Sequence, residues 1–358
     1  TEEQELLRSE VRKVLDENCP LEEVRKISES PEGFSRELWN QIAELGWLGL
    51  TVPEEHGGSE LGWVDLVVIL EEAGRTLFPS PLISTTLAAA AIRENGSAEQ
   101  QARWLPPIAN GSLIGTLAFL EEDDIQGAEG VRLRPADGTA TLSGEKLFVC
   151  DAGVADLFVV ALRTGDGPDD LRLAVLERGA AGLSSEDLPG VDLTKRLGRV
   201  SFDGVRLSDD AMLGGGQGAA AIARLQNLGA TALAAEVIGA AEAALQLTVD
   251  YAGERVQFGQ PIGTFQGVKH PLAEMYVEIE SFKSILYYAA WCLDELPEDV
   301  PRHVSMAKAL ASDAFSRIGI DIIQLHGALG YTWEYDAQLF LKRSKWVKAM
   351  FGGSDYHY

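Results

Sequence analysis

Cysteine is scarce in this chain: Cys19, Cys150 and Cys292 are the only three in 358 residues. An odd number so widely spaced argues against a disulfide framework and for a reducing cytoplasm. No cysteines and histidines cluster at metal-ligand spacing, so no metal site is expected. No apolar run approaches the roughly twenty residues of a membrane-spanning helix. The first residues are acidic and amphipathic, where a secretory signal is basic and then apolar. Neither membrane insertion nor secretion is therefore expected. Thr1 in place of an initiator methionine implies that a few residues were lost at the start. Basic residues are also in short supply, 30 Lys and Arg against 55 Asp and Glu, for a net charge of −25. A field of that sign repels nucleic acid and anionic membranes. It does not exclude an anionic cofactor, because one local arginine outweighs a distant negative surface.

What is present is an ordinary globular composition, 46% hydrophobic and 24% charged, at a length that suits two or three domains. The apolar period divides the chain. From Thr1 to about residue 113 it is helical: Leu6, Leu7, Val11 and Leu15 recur on one face, as do Leu66, Ile69, Leu70 and Ala73. Phe34 to Leu45 and Thr86 to Arg93 read as further helices, with Pro79 and Pro81 ending one of them. Residues 114–214 change to short β-branched or aromatic runs parted by Gly, Asp and Pro: 115–120, 140–143, 147–150, 157–162, 172–177 and 200–205. Strands so spaced without helices between them predict an antiparallel barrel or sandwich. Residues 215–358 return to helix over 219–254, 265–293, 304–325 and 336–350, a four-helix bundle. The fold class expected is α+β and multidomain.

Between the first two bundle helices lies Arg255-Val-Gln-Phe258-Gly-Gln-Pro-Ile-Gly-Thr-Phe-Gln266. An arginine at a helix end, a Gly-Gln-Pro-Ile-Gly turn and a helix opening on Phe265-Gln266 put a guanidinium and an amide at one exposed corner. A planar guanidinium fork suits phosphate. The plain alternative is a cation favourably placed at a helix C-terminus. The third bundle helix breaks at Gln324-Leu-His-Gly327-Ala-Leu-Gly330, where Gly327 equally reads as an ordinary C-cap.

These stretches resemble the acyl-CoA dehydrogenase family. Arg-x-x-Phe-Gly-x-x-Ile followed by Phe-Gln is similar to the segment by which those enzymes hold the diphosphate of an FAD belonging to a neighbouring subunit. Gln324, Gly327 and Gly330 match the family's Gln-x-x-Gly-Gly-x-Gly loop for the ADP half, with Ala328 at its second glycine. The phrases GWLGLTVPEEHGGSELG, LEEAGRTLFPSP and AEQQARWLPPIANG resemble the family's N-terminal helical domain in order. The resemblance implies FAD as cofactor and Arg255, Phe258, Gln266, Gln324 and Gly327 as its contacts. It also implies an acyl-CoA substrate and electron-transfer flavoprotein or a similar electron acceptor.

Other family positions are changed. Where the family has a Thr-Glu-Pro-x-Ala-Gly-Ser-Asp loop, this chain has Leu120-Glu-Glu-Asp-Asp-Ile-Gln-Gly127. In the signature Gly-x-Lys-x-Trp-Ile-Thr-Asn, Phe148 replaces the tryptophan and Cys150 the threonine. The family's catalytic Glu comes from one of two places, which fall here on Phe351 and Gly229. Neither accepts a proton, and Glu236 lies about two turns from Gly229, roughly 10 Å along the helix. No catalytic residue is therefore expected in this chain. The resemblance is closest to the non-catalytic subunit of a heteromeric enzyme, an α2β2 assembly with a paralogous chain, associated in some bacteria with steroid-CoA. A non-catalytic scaffold and a homomeric dehydrogenase with an atypical base are the competing readings.

Overall fold

The computed structural model describes residues 1–122, 130–136, 139–214 and 217–358. Six helices come first: α1 (Glu2–Asn18), α2 (Leu21–Glu29), α3 (Arg36–Glu44), α4 (Trp63–Arg75), α5 (Leu82–Asn95) and α6 (Ala98–Ala109). Eight strands follow: β1 (Gly115–Ala118), β2 (Arg132–Ala136), β3 (Thr139–Cys150), β4 (Leu157–Arg163), β5 (Leu171–Glu177), β6 (Leu183–Leu188), β7 (Leu197–Leu207) and β8 (Met212–Leu213). The chain then runs through α7 (Gly218–Glu254), a hairpin of β9 (Val256–Gln257) and β10 (Gln260–Pro261), α8 (Gln266–Glu295), α9 (Val300–His326), α10 (Ala337–Ala349) and α11 (Ser354–His357). Helix, sheet and helix succeed one another as the period predicted. By compactness the described chain forms two units, residues 27–62 with 79–228, and residues 1–26 with 63–78 and 229–358.

The first of these units holds the sheet, in the order β6-β7-β3-β2-β4-β5-β8 with β1 beside β4. The ladders are antiparallel as expected except that β1 and β2 both run parallel to β4. Side-chain alternation carries no information on strand direction, so the sequence left this open. β4 is buried along Leu157–Leu162, on both faces, which accounts for its unbroken apolar run. The runs 140–143 and 147–150 belong to one strand, β3, whose alternation is broken by irregularities between Leu142 and Gly144 and between Lys146 and Val149. Lys146 is fully buried there and donates to Phe119 O at 3.1 Å and to Glu121 at 2.6 Å, fastening the stretch after β1 to β3. The continuation of that stretch, Asp123–Gly127, lies outside the described residues. Helix α5 starts earlier than expected. Pro81 is its N-cap residue and opens the helix instead of ending one, since a proline in the first turn removes no helical hydrogen bond.

In the second unit α4 crosses α7 with backbone against backbone. A Cβ on Gly74 would fall 1.9 Å from Glu236 O, and one on Gly239 would fall 1.7 Å from Glu71 O. Two glycines facing each other's partner helix allow this approach and set the depth of α7. That helix is long and apolar enough to cross a membrane by length and composition, yet 83% of its apolar window is buried inside the protein. The acids beside the crossing are paired: Arg8 lies 2.5 Å from Glu71, and Arg12 lies 2.8 Å from Glu72. Helix α9 begins at Val300, before the expected 304, because Pro301 in its first turn is tolerated.

Replacing Gly239 by Ala forces the two backbones apart. A loss of about 1–3 kcal/mol or more is expected for such overpacking, read as a lower thermal midpoint. An unchanged midpoint would contradict the close crossing.

Candidate functional site

At the C-terminal end of α7 the Arg255 N–H still donates to Tyr251 O at 2.8 Å, and the Ile262 N–H donates to Arg255 O at 2.8 Å. The intervening hairpin turns on Phe258 and Gly259 at φ +54° and +81°, the pair of positive values that a two-residue type I′ loop requires. The Arg255 side chain is exposed and, among the described residues, makes no ion pair or hydrogen bond. It binds no helix-end carbonyl, so the plain C-terminal reading has no contact behind it. Phe258 is 92% exposed, and its ring meets only the edge of Phe265 at 6.0 Å among the described aromatic contacts. Gln266 opens α8, whose first turn has no side-chain cap; the Val268 and Lys269 N–H groups donate to Phe265 O, which leaves those of Gln266 and Gly267 for an anion.

The end of α9 lies beside this corner. The His326 ring packs against Tyr251 at 4.4 Å and Tyr335 at 4.8 Å, tilted to both, which ties the last turn of α9 to the last turn of α7. Gly327 follows at φ +61°, ψ −140°, a conformation essentially reserved for glycine. Gln324 is exposed on the preceding turn. Arg255, Phe258, Gln266, Gln324 and Gly327 thus share one end of the helical bundle. Their donors, an uncommitted guanidinium, two exposed amides and backbone N–H groups, suit a diphosphate and a polar heterocycle.

Gly229 and Phe351, far apart in sequence, are in contact. A Cβ built on Gly229 would fall 2.3–2.6 Å from three atoms of the Phe351 ring. The ring therefore fills the space that a side chain at 229 needs. Phe351 sits at φ +53° in a turn that is firmly held. The fully buried Lys308 ammonium donates to Val347 O and Gly352 O, each at 3.0 Å, and to Ser312 Oγ at 2.9 Å. His357 Nε2–H donates to Phe351 O at 2.9 Å. Burial pushes the Lys308 pKa down to about 7, against a weaker opposing pull from Asp313. Of the other acids, Glu236 is buried 3.3 Å from Arg343, and Glu334 and Asp355 are exposed. Gly229 and Arg255 are 26 residues apart along α7 and just beyond its end, or about 39 Å at helical rise.

The acyl-CoA dehydrogenase C-terminal domain matches residues 216–358, and the acyl-CoA dehydrogenase N-terminal domain matches residues 1–112. Acyl-CoA dehydrogenase IpdE2 of Mycolicibacterium smegmatis is 33% identical over 345 residues, covering 96% of this chain and 93% of that protein. The chain belongs to the acyl-CoA dehydrogenase family. Members are oxidoreductases acting on acyl-CoA with FAD as cofactor. Among solved structures, a variant of the Tcur3481-Tcur3483 steroid ACAD superposes with a TM-score of 0.90 at 32% identity, covering 99% of this chain and 95% of that one. The ChsE4-ChsE5 complex from Mycobacterium tuberculosis gives a TM-score of 0.91 at 27% identity, covering 100% and 95%.

Within this acyl-CoA dehydrogenase, the changed positions of the sheet are also visible. Phe148 is 47% exposed at φ +54°, in the irregular stretch of β3 between Lys146 and Val149. A bulky residue in the left-handed region is strained, and the resemblance read from the sequence aligns it with the family's tryptophan. The main-chain oxygen of Cys150 accepts from Thr116 Oγ1 at 2.6 Å. Sequence reasoning missed Lys308 as the support of the Phe351 turn and the contact of His326 with Tyr251 that joins the ends of α7 and α9. The only sequence signal for Lys308 was a lysine on the apolar face of α9.

Two outcomes are expected. Gly229→Ala costs about 1–3 kcal/mol by overpacking, and that cost disappears in a Phe351→Ala background. Additive effects in denaturation of the single and double variants would refute the contact. For Lys308, the folded pKa is depressed from 10.5 to about 7. The unfolded chain therefore binds more protons between those values, and this group's contribution to stability rises with pH across that window and is lost as pH falls through about 7. Lys308→Met should remove that part of the slope. Parallel stability–pH curves for wild type and variant would contradict the assignment.

Proposed function

We propose that this chain is one subunit of a heteromeric FAD-dependent acyl-CoA dehydrogenase, paired with a paralogous chain in an α2β2 assembly. Its Arg255, Phe258, Gln266, Gln324 and Gly327 hold the diphosphate and ADP part of an FAD whose ring lies with the partner, and the partner supplies the catalytic Glu. The observation that carries the reading is the Phe351 ring seated on Gly229. Both positions from which the family draws its base are occupied here, one by a ring and the other by the absence of any side chain that would clash with it.

Desaturation of an acyl-CoA requires a carboxylate within hydrogen-bond reach of the proton next to the thioester carbonyl. Bound FAD supplies the acceptor for the hydride from the adjacent carbon. Neither Gly229 nor Phe351 takes that proton. The clamp of this chain, about 39 Å along α7 from Gly229, is farther away than an extended flavin dinucleotide reaches. The clamp therefore serves a cofactor other than one seated at the chain's own base position. The two similar solved structures named for pairs of chains support a heteromer, and the one described as a steroid ACAD supports a steroid-CoA substrate. The electron acceptor in this reading is electron-transfer flavoprotein or an equivalent, and the compartment is the cytoplasm.

Replacing Arg255 by Ala removes a charge-assisted contact worth about 1.5–3 kcal/mol, so FAD should dissociate on dilution of the assembly. Acyl-CoA-dependent dye reduction should need both chains, and Glu→Gln at the partner's base should lower it by about 10²–10⁴-fold. Substantial turnover by this chain alone would overturn the heteromeric reading.

A further inference from the structure

The histidine at the end of α9 is buried beyond what a helix cap needs. Only 3% of His326 is exposed. Its Nδ1 lies 2.7 Å from Ile322 O. A carbonyl only accepts, so Nδ1 carries the hydrogen, and in the neutral ring Nε2 is left with a bare lone pair. That Nε2 is buried and has no hydrogen-bond partner among the described residues. The ring packs instead against Tyr251 of α7 and Tyr335, tilted by 33° and 51°, and those two rings lie 6.3 Å apart at an angle of 62°. The Tyr251 hydroxyl also reaches His326 O at 3.5 Å.

The charged groups around this cluster do not favour an imidazolium by contact. Asp250 and Glu254 of α7 and Asp336 raise the Tyr335 pKa electrostatically after burial, and Asp336 is itself bound by Arg25 at 2.7 Å. Among the described residues no carboxylate lies at ion-pair distance from the His326 ring. A proton on Nε2 would create a buried N–H with no acceptor, which costs free energy comparable to a lost hydrogen bond. Burial accordingly pushes the His326 pKa down, against the Ile322 hydrogen bond that favours the charged form.

The position of this ring has a functional consequence. Tyr251 precedes Arg255 by one helical turn, and Gly327 follows His326 directly. We propose that His326 is a positioning residue for the cofactor clamp, its neutral ring fastening the Gly327 loop of α9 to the Arg255 end of α7. This rests on the clamp reading given above. The folded pKa is depressed below 6.5, so the stack contributes its stability above that value and loses it as pH falls through the lowered one. Cofactor retention should then carry an acid limb that belongs to this residue, because the diphosphate of FAD keeps its charge throughout.

The test follows FAD release by flavin fluorescence on dilution of the purified holo-assembly from about pH 8 downward, past an ordinary histidine pKa, to the pH at which wild type loses its flavin. His326→Ala should weaken retention at about pH 8 by about 5–30-fold, the equivalent of one or two kcal/mol, and should converge on wild type at the acid end, where the protonated ring no longer holds. His326→Phe, which keeps a ring in the stack and cannot titrate, should recover most of that loss at the higher pH and show no acid limb. An acid limb of wild-type size in His326→Phe would overturn the proposal. Arg255→Ala separates it from the reading beneath it. Loss of FAD in Arg255→Ala with wild-type retention in His326→Ala overturns the positioning role alone, and retention in both overturns the clamp as well.

Discussion

The close crossing of α4 and α7 fixes where everything else in the helical unit stands. Gly74 and Gly239 let the two backbones touch, and any side chain at either position would collide with a carbonyl of the other helix. With α7 held so deep, its sides are apolar almost throughout and its chemistry is left to its ends. Gly229 lies about three turns in from the start of α7 and Arg255 just past its end. A straight helix of that length acts as a rigid spacer, so Gly229 and Arg255 are kept about 39 Å apart within one chain.

The two ends differ in how they satisfy their polar groups. Around Phe351 the turn is closed on itself: a buried ammonium takes up Val347 O, Gly352 O and Ser312 Oγ, and His357 takes up Phe351 O. These contacts hold a left-handed aromatic residue where its ring covers a glycine. At the Arg255 end the guanidinium has no partner among the described residues, Phe258 stands almost wholly in solvent, and the first turn of α8 has no side-chain cap. One end has used up its donors internally, whereas the other has kept them available. That contrast, within an acyl-CoA dehydrogenase, is what supports the proposed division of labour between two chains.

Much of this was legible in the residues. The switch from a period of 3.6 to 2 and back marked the sheet between helices, because burial of one face imposes that period whatever the neighbours are. The Arg255 and Gly327 motifs were visible because a positive φ, a hairpin loop and a helix end each demand particular residues locally. The direction of β4 relative to β1 and β2 was not visible, since alternation reads the same both ways, and the irregularities in β3 made one strand look like two.

The sequence by itself determined element types, the absence of an acid at 229 and 351, and the presence of the Arg255 and Gly327 motifs, all properties of short segments. Only the tertiary structure decided that Gly229 is a glycine because Phe351 lies on it, that Lys308 is buried to hold the turn, and that His326 joins two helix ends. Each of these is a contact between residues roughly 40 to 120 positions apart or a burial produced by several elements at once, and local propensity contains no term for either.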